Sequence, residues 1–170
     1  MSRGNDAGNP DGLPRGPLSS IARSKRPAIQ PTLELTLGDL LSTVEPARYP
    51  APVGDRLREL WPRPLESLGA GDLLFLIGQG IGASLVVPLA LELLEHDPLL
   101  AAASARGDLL AAVFGGALSH VTAREHLRYR ARAVLESAEQ RLRSEPVADR
   151  LLALVRAAAD ALRAADSGRS

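Results

Sequence analysis

The chain has 170 residues, a one-domain length with space for one core and some flexible tail. Apolar residues make up 45% and aromatics only 3%, so the core must be built from Leu, Ala and Val, a palette that favours helices over strands. There is no cysteine, which excludes disulfides, thiolate chemistry and Cys-based zinc or iron–sulfur sites and suits a reducing cytoplasm.

The net charge of zero conceals three blocks: residues 1–30 balance at +3, residues 31–118 at −6 and residues 119–170 at +3. An acidic core repels nucleic acid and favours encounter with a basic protein surface.

Residues 1–31 are rich in Gly, Pro, Asn, Ser and Arg and lack apolar periodicity, so they read as a disordered basic leader. No apolar run of signal-peptide length follows its basic residues, and Arg23–Arg26 reads as solvated tail. Order is expected from Leu33, where Thr36 and Asp39 have the spacing of a helix-capping box. Four prolines punctuate Tyr49–Pro64 and leave room for a short helix over Val53–Leu60, with Leu57, Leu60 and Trp61 as its apolar contacts. Helices are next expected over Asp72–Gly78 and Ser84–His96, the second stopped by Asp97-Pro98. Asp108–Phe114 reads as another, closed by Gly115-Gly116.

Thr122 and Glu125 form a second capping-box pattern that opens a long helix to about Arg143. Its inward face carries Leu127, Ala131, Val134, Leu135, Ala138 and Leu142 at helical spacing. Ser144, Glu145 and Pro146 start a last helix, with Val147, Leu151, Leu154, Val155, Ala158 and Leu162 along one side. The expectation is an all-α, compact domain of about five to seven helices: leader 1–31, helical core 32–118, and a C-terminal helical hairpin 119–166 packed on that core.

The stretch LIGQGIGASLVVPLALELLE, Leu76 to Glu95, admits three readings. Gly78-x-Gly80-x-x-Ala83 after the apolar Leu73–Ile77 has dinucleotide-fingerprint spacing, but a second strand ending in an acidic residue about 20 positions on is missing. The uncharged run Leu73–Leu91 has the length of a membrane span, yet it contains Gln79, three glycines, Ser84 and Pro88 and no basic anchor. Two buried helices broken at Gly78–Gly82 explain the most. Ser84 is then the N-cap of the second and Pro88 lies near its first turn, where a missing N–H costs little. Glu92, Glu95 and His96 share that helix's exposed side.

The run GDLLFLIGQGIGASLVVPLALELLEHDPL, followed by RGDLLAAVF, closely resembles the immunity proteins of contact-dependent growth inhibition systems. Asp72, Leu73, Ile77, Gln79 and Gly82 fall on the family's D-L-x-x-L-I-x-Q-x-x-G core. Val87, Pro88, Leu89, Ala90, Leu91, Leu94 and Glu95 follow its V-P-L-A-L-x-x-L-E helix, and Gly107, Asp108, Leu109 and Leu110 its G-D-L-L segment. The resemblance covers roughly residues 33–115. Three features depart from the pattern: Ala105-Arg106 stands where the family usually has an aromatic-Pro pair, a tryptophan often found further on is absent, and the long Ala/Arg helices after Thr122 are not part of it.

The resemblance implies a cytoplasmic, all-helical bacterial inhibitor without catalysis of its own. It would bind the C-terminal toxin domain delivered by a neighbouring cell, in many cases a nuclease with a basic face. Asp72, Glu92, Glu95, Asp97 and Asp108 are the toxin-binding candidates, although Asp72 and Asp108 each sit where a helix begins and can equally cap it. No nucleic-acid or membrane partner is expected, no cofactor is implied, and the oligomeric state stays open.

Gln79, in an apolar neighbourhood, is expected to bond turn backbone. His120 and His126 are six apart, not the i, i+4 pairing that places two metal ligands on one helix face, so no metal site is expected. The segment Arg124–Arg132 sets four arginines around Tyr129 and could touch RNA, but Glu125 and Glu136 interrupt it and Arg132 can pair with Glu136. No Ser–His–Asp order, paired-carboxylate motif or P-loop is present. A helical scaffold or adaptor without a toxin partner is the alternative, and a dinucleotide enzyme the third.

Overall fold

Thr36 fixes where the structured chain begins to turn. Its hydroxyl accepts from the Asp39 N–H at 3.1 Å, and the Asp39 carboxylate accepts from the Thr36 N–H at 2.9 Å, so two otherwise orphaned donors are satisfied. The computed structural model describes residues 35–144 and 149–168. The leader expected over 1–31 and the expected helix start at Glu145–Val147 lie outside the described residues.

Eight α-helices are present among the described residues: α1 (Leu37–Leu40), α2 (Val53–Leu60), α3 (Ala70–Gly78), α4 (Ala83–His96), α5 (Asp108–Gly116), α6 (Leu118–Thr122), α7 (Glu125–Leu142) and α8 (Asp149–Ser167). Two short 3₁₀ turns, Pro46–Arg48 and Leu65–Ser67, flank α2. The sole extended pairing among these residues is one bridge, Thr36 to Pro64, and the all-α expectation holds.

Helix α4 is the centre. Its Val86, Val87, Ala90, Leu91 and Leu94 are fully buried, and α3, α5, α6 and α7 pack around it. Helix α8 lies against α5, α6 and α7. The core is almost entirely Leu, Val and Ala, as the composition requires; Phe114 is the one buried aromatic among the described residues, with Tyr49, Trp61 and Phe75 partly buried against it. The stripe predicted for α7 is buried at all six positions. On α8, Val155, Ala158 and Leu162 are buried, while Leu151 and Leu154 are half-buried. Truncating a buried leucine of α4 to Ala removes about 2–5 kcal/mol in such a core.

The run from Leu73 to Leu91 is not one helix but parts of two, and the segment a dinucleotide fingerprint needs as a strand is helical. No helix of the described residues is long and apolar enough to cross a membrane. The break is made by glycine. Gly82 has φ +62°, and a Cβ there would lie 2.9 Å from a Leu41 methyl, so close packing and backbone hand both demand glycine. Gly107, at φ +78°, starts α5 in the same way beneath Leu151.

Four sequence expectations about helix ends need correction. Gly82, not Ser84, is the N-cap of α4, so Pro88 lies beyond the first turn, inside the helix. A proline there removes a bond to the carbonyl four residues back, which is Ser84. The Arg124 guanidinium donates to that Ser84 oxygen at 3.1 Å, replacing the missing N–H from another helix. Gly115 and Gly116 do not cap α5 but continue it, with Ala117 at the C-cap. Thr122 ends the unforeseen helix α6, donating to the Ser119 carbonyl, and Arg124 occupies the N-cap of α7 with no side-chain cap. Gln79 is exposed and makes no side-chain hydrogen bond among the described residues.

Candidate functional site

The five carboxylates expected to meet a partner do not share one situation. Asp72 is buried in the first turn of α3. It caps the Gly69 N–H at 3.1 Å and receives Arg56 at 2.5 Å and Arg63 at 2.8 Å. One carboxylate thus ties α2, the Pro62–Pro64 segment and α3 together. Asp108 accepts four backbone N–H groups, from Ala102 at 2.7 Å, Ala103 at 3.0 Å, Ser104 at 3.2 Å and Ala105 at 3.3 Å. Burial pushes its carboxyl up, but the four amide bonds together outweigh that and hold it below the usual carboxylate range.

Glu95 and Asp97 face the long helix α7. Glu95 receives Arg130 through both oxygens, at 2.6 and 2.8 Å. The Arg130 hydrogen bonds lower the Glu95 carboxyl against a smaller opposing effect of burial. Asp97 accepts Arg141 at 2.9 Å and its own loop's Leu99 N–H at 3.2 Å. Glu92 differs from all four. It is exposed, and its side chain has no hydrogen bond or ion pair among the described residues, though its charge reaches Arg130. One turn on, the His96 imidazole donates from Nδ1 to the Glu92 backbone carbonyl at 2.8 Å.

The remaining acidic residues between 35 and 118 sharpen the contrast. Asp39 is held in its capping box, while Glu45, Asp55 and Glu59 form exposed local pairs with Arg48, Arg58 and Arg56. Glu66, on the 3₁₀ turn Leu65–Ser67, has no such partner among the described residues and is exposed. Sequence reasoning passed over Glu66. Its sequence carries no signal of its own: only the burial of Leu65 and Leu68 on either side puts its side chain at the rim of what those leucines line.

They line a cleft of about 120 Å³ whose walls are Leu65, Leu68, Leu73, Leu89 and Leu93, with Glu66 and Glu92 completing the lining. The two unengaged carboxylates of this half therefore belong to one hollow. Leu89 and Leu93 are only half-buried, so the α4 wall of the cleft presents apolar surface to solvent.

On the opposite flank the arginine segment is consumed internally. Arg124 bonds Ser84, Arg130 holds Glu95, and Arg128, itself buried, donates to Asp166 at 2.6 Å and to the Thr122 carbonyl at 2.8 Å. Arg132 pairs with Asp166 and not with Glu136 as its spacing suggested. Tyr129, in their midst, is 77% exposed. No group of three or more potential metal ligands is gathered among the described residues.

Comparison with curated proteins and with solved structures gave no match. The family model of CDI (contact-dependent growth inhibition) immunity proteins matches residues 37–131, from the first residue of α1 into α7. That span includes the cleft, both helices started by left-handed glycines and the Glu95–Arg130 clamp. Covering more than half of the chain, it makes the protein a member of the CDI immunity protein family.

Proposed function

We propose that the protein acts in the cytoplasm, without catalysis of its own, by binding the C-terminal toxin domain of its cognate growth-inhibition system and neutralising it. The family match over residues 37–131 carries this reading. We further infer that the toxin domain is a nuclease. The −6 balance of residues 31–118 supports that choice, because a nuclease presents a basic, phosphate-binding face. Of the five candidate carboxylates, we assign Asp72, Glu95, Asp97 and Asp108 chiefly to holding the fold and Glu92 to the partner.

The test is co-expression with the C-terminal domain of the exported protein encoded immediately upstream. The expected result is a surviving host and a stable complex on co-purification, with an interface of about 1,600 Å² in total. A host that dies, with nothing co-purifying, overturns the reading for that pair. Nuclease activity of the free domain, assayed on DNA and RNA, decides the second part.

A further inference from the structure

We infer that the cleft between α4 and the Leu65–Ser67 turn is the primary seat of the toxin domain, and that it receives a lysine or arginine side chain of that domain. The inference rests on the immunity reading and deepens it. Eight of the ten described acidic residues between 35 and 118 already hold a hydrogen bond or ion pair, and the two that do not, Glu66 and Glu92, line this single hollow.

The chemistry of the hollow specifies its occupant. Five leucines form its walls and two carboxylates complete it. Long basic side chains have that same division: an aliphatic stem that gains from apolar contact and a cationic head that needs acceptors. A neutral apolar side chain would leave both carboxylates partly dehydrated and unanswered, which is costly. An acidic one would be repelled. The cleft, about 120 Å³ in volume, has room for one such side chain. Glu66 and Glu92 lose only hydration on engaging a partner, whereas Glu95 or Asp97 would first have to release an arginine. One turn beyond Glu92, the Glu95–Arg130 pair ties α4 to α7, which helps to hold the α4 side of the cleft in place.

The test uses the full chain and the upstream toxin C-terminal domain, with association and dissociation rates followed on an immobilised surface. Binding by the unaltered chain decides the immunity reading, and the variants decide the cleft. In Glu66→Gln/Glu92→Gln, each lost charge-assisted bond is expected to cost about tenfold or more, so dissociation should quicken by about 100-fold. Trimming the α4 wall with Leu89→Ala should quicken it severalfold. Circular-dichroism melting checks that both variants stay folded.

If the double variant only slows association and loses salt dependence, the carboxylates steer and do not seat a side chain, and the proposal is overturned. Unchanged rates overturn it too, while the immunity reading stands on the unaltered chain's binding. If the unaltered chain itself fails to bind, both fall together.

Discussion

The two flanks of α4 use charge in opposite ways. Toward α7 and α8, carboxylate and guanidinium meet repeatedly: Glu95 with Arg130, Asp97 with Arg141, Asp166 with Arg128 and Arg132, Glu139 with Arg143 and Arg156. Toward the Leu65–Ser67 turn, Glu66 and Glu92 stand without such partners among the described residues. Both flanks are rich in charged side chains, yet they are not equivalent surfaces. A paired charge contributes to holding helices in place, and a partner that wants it must first break the pair. An unpaired one over apolar walls is available at the cost of its hydration alone.

The sharpest way to break this comparison is to remove a charge from the paired flank. Asp166→Ala leaves the buried Arg128 without its carboxylate, retaining only the Thr122 carbonyl. A fully buried pair broken in this way loses about 3–5 kcal/mol. Asp166 is about a third exposed, so a loss of about 2–3 kcal/mol in urea unfolding is expected. A change below about 0.5 kcal/mol, the range of ordinary surface substitutions, would show that the flank is decorated and not held by its ion pairs.

Asp108 offers a pH-dependent version. The four amide bonds hold its folded carboxyl below the usual carboxylate range, so its stabilisation is complete above about pH 4 and is lost as pH falls through the lower folded value. Asp108→Ala is therefore expected to lower stability at pH 7 by about 1–2 kcal/mol, with the gap to the unaltered protein closing below pH 4. A gap that persists undiminished at pH 2 would mean that the loss comes from packing alone.

The Pro88–Arg124 pairing predicts an interaction of about 1 kcal/mol in a double-mutant cycle. Arg124→Ala should destabilise the natural chain. In a Pro88→Ala background, where a backbone N–H again serves Ser84, it should cost little. Additive losses would separate the two residues. Smallest of all, Tyr129→Ala is expected to change stability by less than about 0.5 kcal/mol and to leave toxin affinity intact. A lost complex would move the interface to the arginine-rich helix.

Much of the fold was legible because amphipathic spacing is a local property. The stripe Leu127–Leu142 and the helix Val53–Leu60 are written directly in periodicity and proline placement. The helix ends misread were those decided by distant residues. Ser84 is an apt capping residue by type, but Gly82 packs under Leu41, 41 positions earlier, and takes the cap instead. Thr122 had the correct spacing to Glu125, yet helix α6 already claimed its hydroxyl. The candidate acids were found by charge and position, but which of them are engaged depends on arginines up to 44 residues away, as for Asp97 and Arg141. Glu66 was missed because a single acid on a turn carries no pattern until the leucines around it close into a cleft.

The most direct test sets the two flanks side by side against the same toxin domain: Glu66→Gln/Glu92→Gln and Glu95→Gln/Asp97→Asn, each measured for dissociation rate and melting temperature. The first is expected to release the toxin domain about 100-fold faster with melting unchanged. The second is expected to melt several degrees lower, about 4 °C per kcal/mol lost, while dissociation stays within a few-fold. The opposite pattern, fast release from the second pair and none from the first, would contradict the account.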